Sequence, residues 1–342
     1  MAYTTINKST DYFNTVTYSG SNSSQSVTGV GFQPDWVWMK QRGGTTDHKL
    51  ADAVRGYNKN ITSNSTAAET THTYFTSFDS DGFTLDGNVS DYNKSGLTYV
   101  SWNWKANGQG SSNTDGAVNT TYTSANTTSG FSISLVSNLN SNTFGHGLGV
   151  EPDVIFNKRT DDVANWRIYY KGITSGNSLF LNSTSGSSSE GSRISSADAT
   201  TVTVTGSGHG GTAGTGTAVF YCFANKTGFS SSGTYQGNGN ADGAFIYTGF
   251  KPAWILNKRV DSTGNWMLID NKRLGYNPAQ RDLRPNLTNA EGSDETFDIL
   301  SNGFKVRTTS GDFGGGSGAV YIYMAFADKP LVGSNNVPAV AR

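Results

Sequence analysis

The residues of this chain with chemistry to offer are four histidines, one cysteine and scattered carboxylates, and their spacing matches no catalytic pattern. The strings G-x-S-x-G, H-E-x-x-H, C-x-x-C and G-x-x-x-x-G-K-[ST] are absent. His48, His72, His146 and His209 show no metal-ligand spacing and are expected in surface or turn roles, so no cofactor is expected. A glycosidase on a β scaffold needs two carboxylates flanking one bond. Here E-x-D-x-x-E does not occur; Glu69 and Glu291 fall at matching places after the repeated Asn, with Glu190 nearby, as structural residues would. Gly206, Gly208 and Gly211 fit G-x-G-x-x-G, but the strand-like run Ala218 to Ala224 follows them, so no helix N-terminus would meet a phosphate. A hairpin loop is expected there. Asp79-Ser80-Asp81-Gly82 opens like a calcium loop without continuing as one, and is read as a turn.

Tryptophan offers a different chemistry, an aromatic platform for a sugar ring. Trp166 and Trp266 each follow an asparagine, Asn165 and Asn265, and precede a mixed polar segment; His48 stands at the corresponding place upstream. These three are the candidate ligand-binding residues, and the competing reading makes them heads of ordinary core strands. Trp36, Trp38, Trp102 and Trp104, flanked by apolar residues, are expected in the core. The pairs Lys158-Arg159 and Lys258-Arg259, with Lys40 and Arg42, are expected to end a strand in solvent or to bridge Asp161 and Asp261. The many N-x-[ST] triplets follow by chance from abundant Asn, Ser and Thr.

The elements that would position these residues repeat three times. A proline opens an apolar run that closes on a basic residue at Pro34 (FQPDWVWMKQR), Pro152 (VEPDVIFNKRT) and Pro252 (FKPAWILNKRV). Fourteen residues after each proline come His48, Trp166 and Trp266. Asn64, Asn182 and Asn286 follow at 30, 30 and 34 residues, each in an N-x-T triplet where an Asx-type turn is expected. Aromatic closing runs end near Trp104, Phe223 and Phe326. Short stretches rich in Val, Ile, Tyr, Phe, Trp and Thr, bounded by Gly, Asn, Asp and Ser, predict strands and almost no helix. SNGFKVRTTSGDFGGGSGAVYIYMAFAD predicts a hairpin with a long glycine loop. Runs apolar on both faces, such as Trp36 to Met39 and Ile255 to Leu256, predict central strands between layers.

The fold expected is all-β, with three tandem antiparallel β-sandwich repeats of about 95 to 101 residues, jelly-roll or lectin-like in layering. The boundaries are an N-terminal arm at 1–12, repeats at 13–106, 131–226 and 229–329, and a C-terminal tail at 330–342. Residues 107–130, almost all Gly, Ser, Thr and Asn, read as a linker or long surface loop. The first repeat is therefore expected to be freer than the other two. The chain has 342 residues, 42 of them glycine, with 15% charged and 12% aromatic residues. So many aromatics argue against a disordered chain. With 25 Lys and Arg against 26 Asp and Glu, no basic stripe forms, so nucleic acid is not an expected partner. The single Cys222 suits a reducing compartment, the N-terminal residues show no secretory signal, and no apolar run reaches bilayer length, so no membrane insertion is expected.

The three Pro-led strands, with DSTGNW, SNGFKVRTT and YIYMAFADKP, resemble the tandem-repeat virion proteins of marine tailed bacteriophages, whose domains are described as concanavalin-like or lectin-like β-sandwiches. The resemblance runs from Asp11 to about Lys329. It implies a non-enzymatic virion structural protein, assembled in the host bacterial cytoplasm and exposed on the particle surface as a tail fibre, knob or capsid decoration. The partners implied are other virion proteins of capsid or tail, further copies of the chain, a trimer being common in such assemblies, and a host-surface glycan. Host attachment by weak multivalent carbohydrate binding is the expected use. The alternatives are a mechanical capsid cement or tail-associated subunit without host binding, and a polysaccharide depolymerase; a soluble lectin unconnected with phage ranks last.

Overall fold

The computed structural model describes residues 4–173, 176–190, 193–206, 216–294 and 296–330. These fold into antiparallel strands, with a single 3-10 turn at Ser9–Asp11. Among the described residues no helix is long and apolar enough to cross a membrane.

Three stretches of chain each build one large sheet and one three-stranded sheet. Residues 13–104 form a six-stranded sheet ordered Phe13–Ser19, Thr98–Trp104, Trp36–Gln41, Lys49–Asp52, Lys59–Thr62, Thr70–Thr71, with Gln25–Thr28, Gly82–Leu85 and Phe75–Asp79 as its small sheet. Residues 122–223 form a seven-stranded sheet around Val154–Arg159 and Thr217–Phe223, with Thr143–Gly145, Thr201–Thr205 and Arg193–Ala197 beside it. Residues 230–330 form four strands around Phe250–Arg259 and Val320–Pro330, with Phe245–Tyr247, Gly303–Val306 and Phe297–Leu300 beside them.

Strand alternation explains how one sheet serves two cores. In Trp36–Gln41, Val37 and Met39 pack toward the small sheet with Val27, Phe75 and Phe83, whereas Trp36 and Trp38 face the opposite way. In Phe250–Arg259, Ile255 packs with Phe297 and Phe304 while Trp254 and Leu256 face the other side. The opposite faces of all three large sheets meet in one shared core. Trp36 lies 4.5 Å from Tyr221, Trp104 lies 5.5 Å from Trp254, and Phe223 lies 6.0 Å from Phe326, so each stretch touches both others.

The backbone closes the same ring. The Glu69 N–H donates to the Thr160 carbonyl at 2.8 Å, Ser187 to Val260 at 2.8 Å, and Glu291 to Arg42 at 2.7 Å. Counted from the Pro-led strand, donors and acceptors occupy equivalent places at all three junctions. The expected freedom of the first stretch is thus not found; it is held by the same bond as the others.

Three further expectations change. Part of the supposed linker 107–130 is the strand Tyr122–Asn126, which pairs with Phe131–Ser137, and the Asp35 carboxylate accepts the Ala106 and Gly108 N–H groups at 2.7 and 3.1 Å. The described part of the arm, residues 4–12, is tied down as well, because Ile6 is buried in the shared core. Gly303–Val306 and Val320–Pro330 are not a hairpin, since they lie in different sheets and the glycine loop Gly311 to Gly318 crosses between layers. The actual tight hairpins join Phe75–Asp79 to Gly82–Leu85, the turn read at Ser80-Asp81, and Phe297–Leu300 to Gly303–Val306. Gly208, Gly211, His209 and tail residues 331–342 lie outside the described residues.

Candidate functional site

The three residues singled out as ligand contacts are buried: His48 and Trp166 are 0% exposed and Trp266 1%. A sugar arriving from solvent finds no face of them to stack on, so the platform reading gives way to the core-strand one. What they do is join neighbouring stretches. The Trp166 indole N–H donates to the Thr62 carbonyl at 2.9 Å, and that of Trp266 to the Phe180 carbonyl at 2.8 Å. His48 takes the same place at the third joint. Its Nδ1 accepts the Trp38 indole N–H at 3.0 Å, which leaves the proton of the neutral ring on Nε2. Burial, with Lys40 and Arg273 nearby, holds this imidazole well below the ordinary histidine pKa.

The repeated asparagines do not make local Asx turns. Asn64, Asn182 and Asn286 accept the backbone N–H of His48, Trp166 and Trp266 at 3.0, 2.8 and 3.0 Å. Their amides donate back to Asp47, Asn165 and Asn265 at 2.8, 2.8 and 2.9 Å. One side chain thereby holds two adjacent residues of a distant segment, a geometry invisible in local spacing.

The basic pairs split by strand alternation. Arg159 and Arg259 bridge outward to Asp161 and Asp261 at 2.9 and 2.8 Å, as expected. Lys158 and Lys258 turn inward instead, donating to the carbonyls of Thr66 and Thr184 in the preceding stretch, and Lys40 donates to the Gln41 and Gly44 carbonyls. Burial pushes all three ammonium groups down to about 8.

The acids follow suit. Glu69 pairs with Arg55 at 2.9 Å, Glu291 with Arg42 at 2.9 Å, and Glu190 with Arg167 at 3.4 Å. Asp52, held by Arg55, accepts the Tyr221 hydroxyl at 2.6 Å; Asp270, held by Arg273, accepts the Trp102 indole N–H at 2.9 Å. Both bonds cross a joint. His146 is also buried, which excludes the surface half of the surface or turn role expected of it. Among the described residues no group of three or more His, Cys, Asp or Glu is placed to hold a metal ion.

The features that face solvent lie elsewhere. Phe245 and Tyr247, on the edge strand of the third small sheet, are 48% and 55% exposed, while Ile246 between them is buried. Lys305 stands directly across from Phe245 and across from Asp298 on its other side. Its ammonium lies 2.6 Å from Asp242 Oδ1, and Arg307 bridges Asp242 and Asp298 at 3.4 and 3.3 Å. Beside this row opens a hollow lined by Asp294, Arg307 and Thr308 to Ser310. Tyr57 and Tyr276, 47% and 64% exposed, each follow a glycine in corresponding loops of the first and third stretches. Sequence reasoning passed over Phe245 and Tyr247; the available signal was a comparison of copies, because Ser26 and Thr28, or Thr143 and Gly145, occupy the corresponding places.

A family model described as Domain of unknown function (DUF7483) matches residues 8–330. No curated protein matches the chain.

Proposed function

The chain belongs to the DUF7483 family, and we propose that it is a non-catalytic structural protein of a phage particle. In this reading it is displayed on the particle surface as tail fibre, knob or capsid decoration. Its use is host attachment through weak carbohydrate contacts multiplied over many copies. Its body is one antiparallel β-sandwich triplicated, residues 13–106, 131–226 and 229–329, and closed on itself. The virion location comes from the Pro-led strands that resemble phage tandem-repeat proteins.

The observation that carries the structural role is the closure of all three joints by corresponding backbone bonds around a single aromatic core. A body built this way is tied together by its own backbone and core, and leaves its outer loops free to vary. The threefold arrangement that a trimer of small domains would supply is met inside one chain. The same body would serve as a cement; the two exposed aromatics on the third small sheet favour attachment over cement.

Gold-labelled antibody against the folded chain, applied to intact purified particles, tests the location. Label on the surface of undisturbed particles is expected. Label that appears only after disruption, or stays with the soluble lysate, refutes the display reading. Beads coated with the protein then separate attachment from cement by their retention on host cells.

A further inference from the structure

We infer that the outer face of the third small sheet is a saccharide-binding platform, in which Phe245 and Tyr247 stack on pyranose rings and the Lys305, Arg307, Asp242 and Asp298 side chains bond the hydroxyl groups. The inference deepens the attachment reading and rests on it for its biological use, but the binding itself is independent of where the protein sits.

The fold does not ask for these aromatics. The strand Phe245–Tyr247 pairs with Gly303–Val306 as Gln25–Thr28 pairs with Gly82–Leu85 and Thr143–Gly145 with Thr201–Thr205. In each the inward residue is apolar and buried: Ile246, Val27 and Phe144. The outward neighbours are Ser26 and Thr28 in the first sheet and Thr143 and Gly145 in the second. The first sheet therefore folds with two small polar groups where the third carries two large rings half open to water; in the second, Thr143 stands beside Gly145, which is buried against Asn113. Exposing such rings costs solvation that a merely structural position would avoid. Neighbouring outward residues on a strand stand about 7 Å apart, so one saccharide chain can span both rings.

The surroundings choose the ligand. An aromatic face, negative at its centre, attracts the polarised C–H groups of a sugar ring, and the hydroxyls around that ring need donors and acceptors together. Lys305 and Arg307 supply donors, Asp242 and Asp298 supply acceptors, and the four charges cancel. A phosphate-bearing partner would need a net positive surface instead. Strand addition by a second copy or a peptide is disfavoured, because this edge strand has 3 residues and very short edges are poor templates. The hollow lined by Asp294, Arg307 and Thr308 to Ser310 continues the polar row, giving a bound chain somewhere to run.

The test uses the full-length chain on a printed array of bacterial capsular and O-antigen polysaccharides, followed by titration of the best-retained oligosaccharide. Wild type is expected to be retained. The double variant Phe245→Ser with Tyr247→Thr, which installs the residues of the first small sheet, should bind at least tenfold more weakly with an unchanged melting temperature. Tyr276→Ser, on another loop, should bind as wild type. If the double variant fails to fold, Tyr247→Thr alone and Lys305→Gln carry the comparison. No retention on any saccharide overturns the inference, as does equal binding by the double variant, or equal loss in Tyr276→Ser. Loss of self-association in place of sugar binding, read by sedimentation velocity, also overturns it and makes the face a contact between copies. Retention on the array without surface label on particles would sink the virion reading alone; label without retention would sink this one alone.

Discussion

Trp36→Ala tests whether the three stretches share one core. Trp36 is 1% exposed and belongs to the first stretch, yet its ring lies 4.5 Å from Tyr221 and 5.9 Å from Phe131 and Phe223 of the second, besides 4.4 Å from Trp104 of its own. Emptying such a site costs about 3 to 5 kcal/mol in transfer and cavity terms. The two closest ring pairs each add about 0.5 to 1.5 kcal/mol beyond buried area. A loss of about 5 kcal/mol follows, a large part of the roughly 5 to 15 kcal/mol by which folded domains are stable. Guanidinium unfolding followed by far-ultraviolet circular dichroism and tryptophan fluorescence measures it, and the two probes should move together to a lower midpoint. Trp36→Phe should lose only about 1 to 2 kcal/mol, because the Trp36 indole N–H has no hydrogen-bond partner among the described residues to forfeit. A loss under about 1 kcal/mol for Trp36→Ala would refute the burial argument. Wild-type hydrogen-exchange protection in residues 229–329 of a variant whose first stretch has opened would refute the shared core.

The remaining predictions follow from buried polar groups. Burial holds His48, His72 and His146 below the ordinary histidine value, His72 at about 4. As pH falls below about 6.5 the unfolded chain therefore takes up protons first and stability drops; a melting temperature flat from pH 6.5 to about 4 would contradict this. The Cys222 thiol, pushed up to about 12 by burial, should ignore a thiol reagent at pH 8 and react in guanidinium; rapid reaction of the native chain would show the strand Thr217–Phe223 to be open. Asn182→Ala strands a buried tryptophan N–H and should cost about 1 to 3 kcal/mol. Asn64→Ala and Asn286→Ala should match it in denaturant midpoint, and a clear mismatch would refute the equivalence of the three joints.

The strands and their three-part recurrence were legible because both are local. Runs apolar on both faces at Trp36 to Met39 and Ile255 to Leu256, prolines near strand starts, and glycines at turns each act over a few residues. The ring was not legible, because its bonds join residues far apart in the chain, Glu291 to Arg42 and Trp266 to Phe180 among them. Lys158 and Arg159 looked interchangeable as a basic pair; the pleat sends one inward to a carbonyl and the other outward to Asp161. The hairpin expected around Gly311 to Gly318 failed for a related reason, since a loop that crosses between layers has the same composition as one that turns back within a sheet.

Three stretches built on like pairs of sheets supply controls for one another, and the control separates support from use. Recurring residues, the three asparagines and the three inward lysines, all resolve into bonds that hold joints or turns. His48 departs from the tryptophans of the other copies, but it lies in the same buried joint and accepts a bond from Trp38, so packing accounts for it. Phe245 and Tyr247 depart where packing asks for nothing, on the water side of a sheet that the first copy builds with Ser26 and Thr28. Recurrence in this molecule therefore points to architecture. Function is to be sought where one copy breaks the pattern at the surface, which is why the third small sheet, and not the tryptophan joints, is where a ligand belongs.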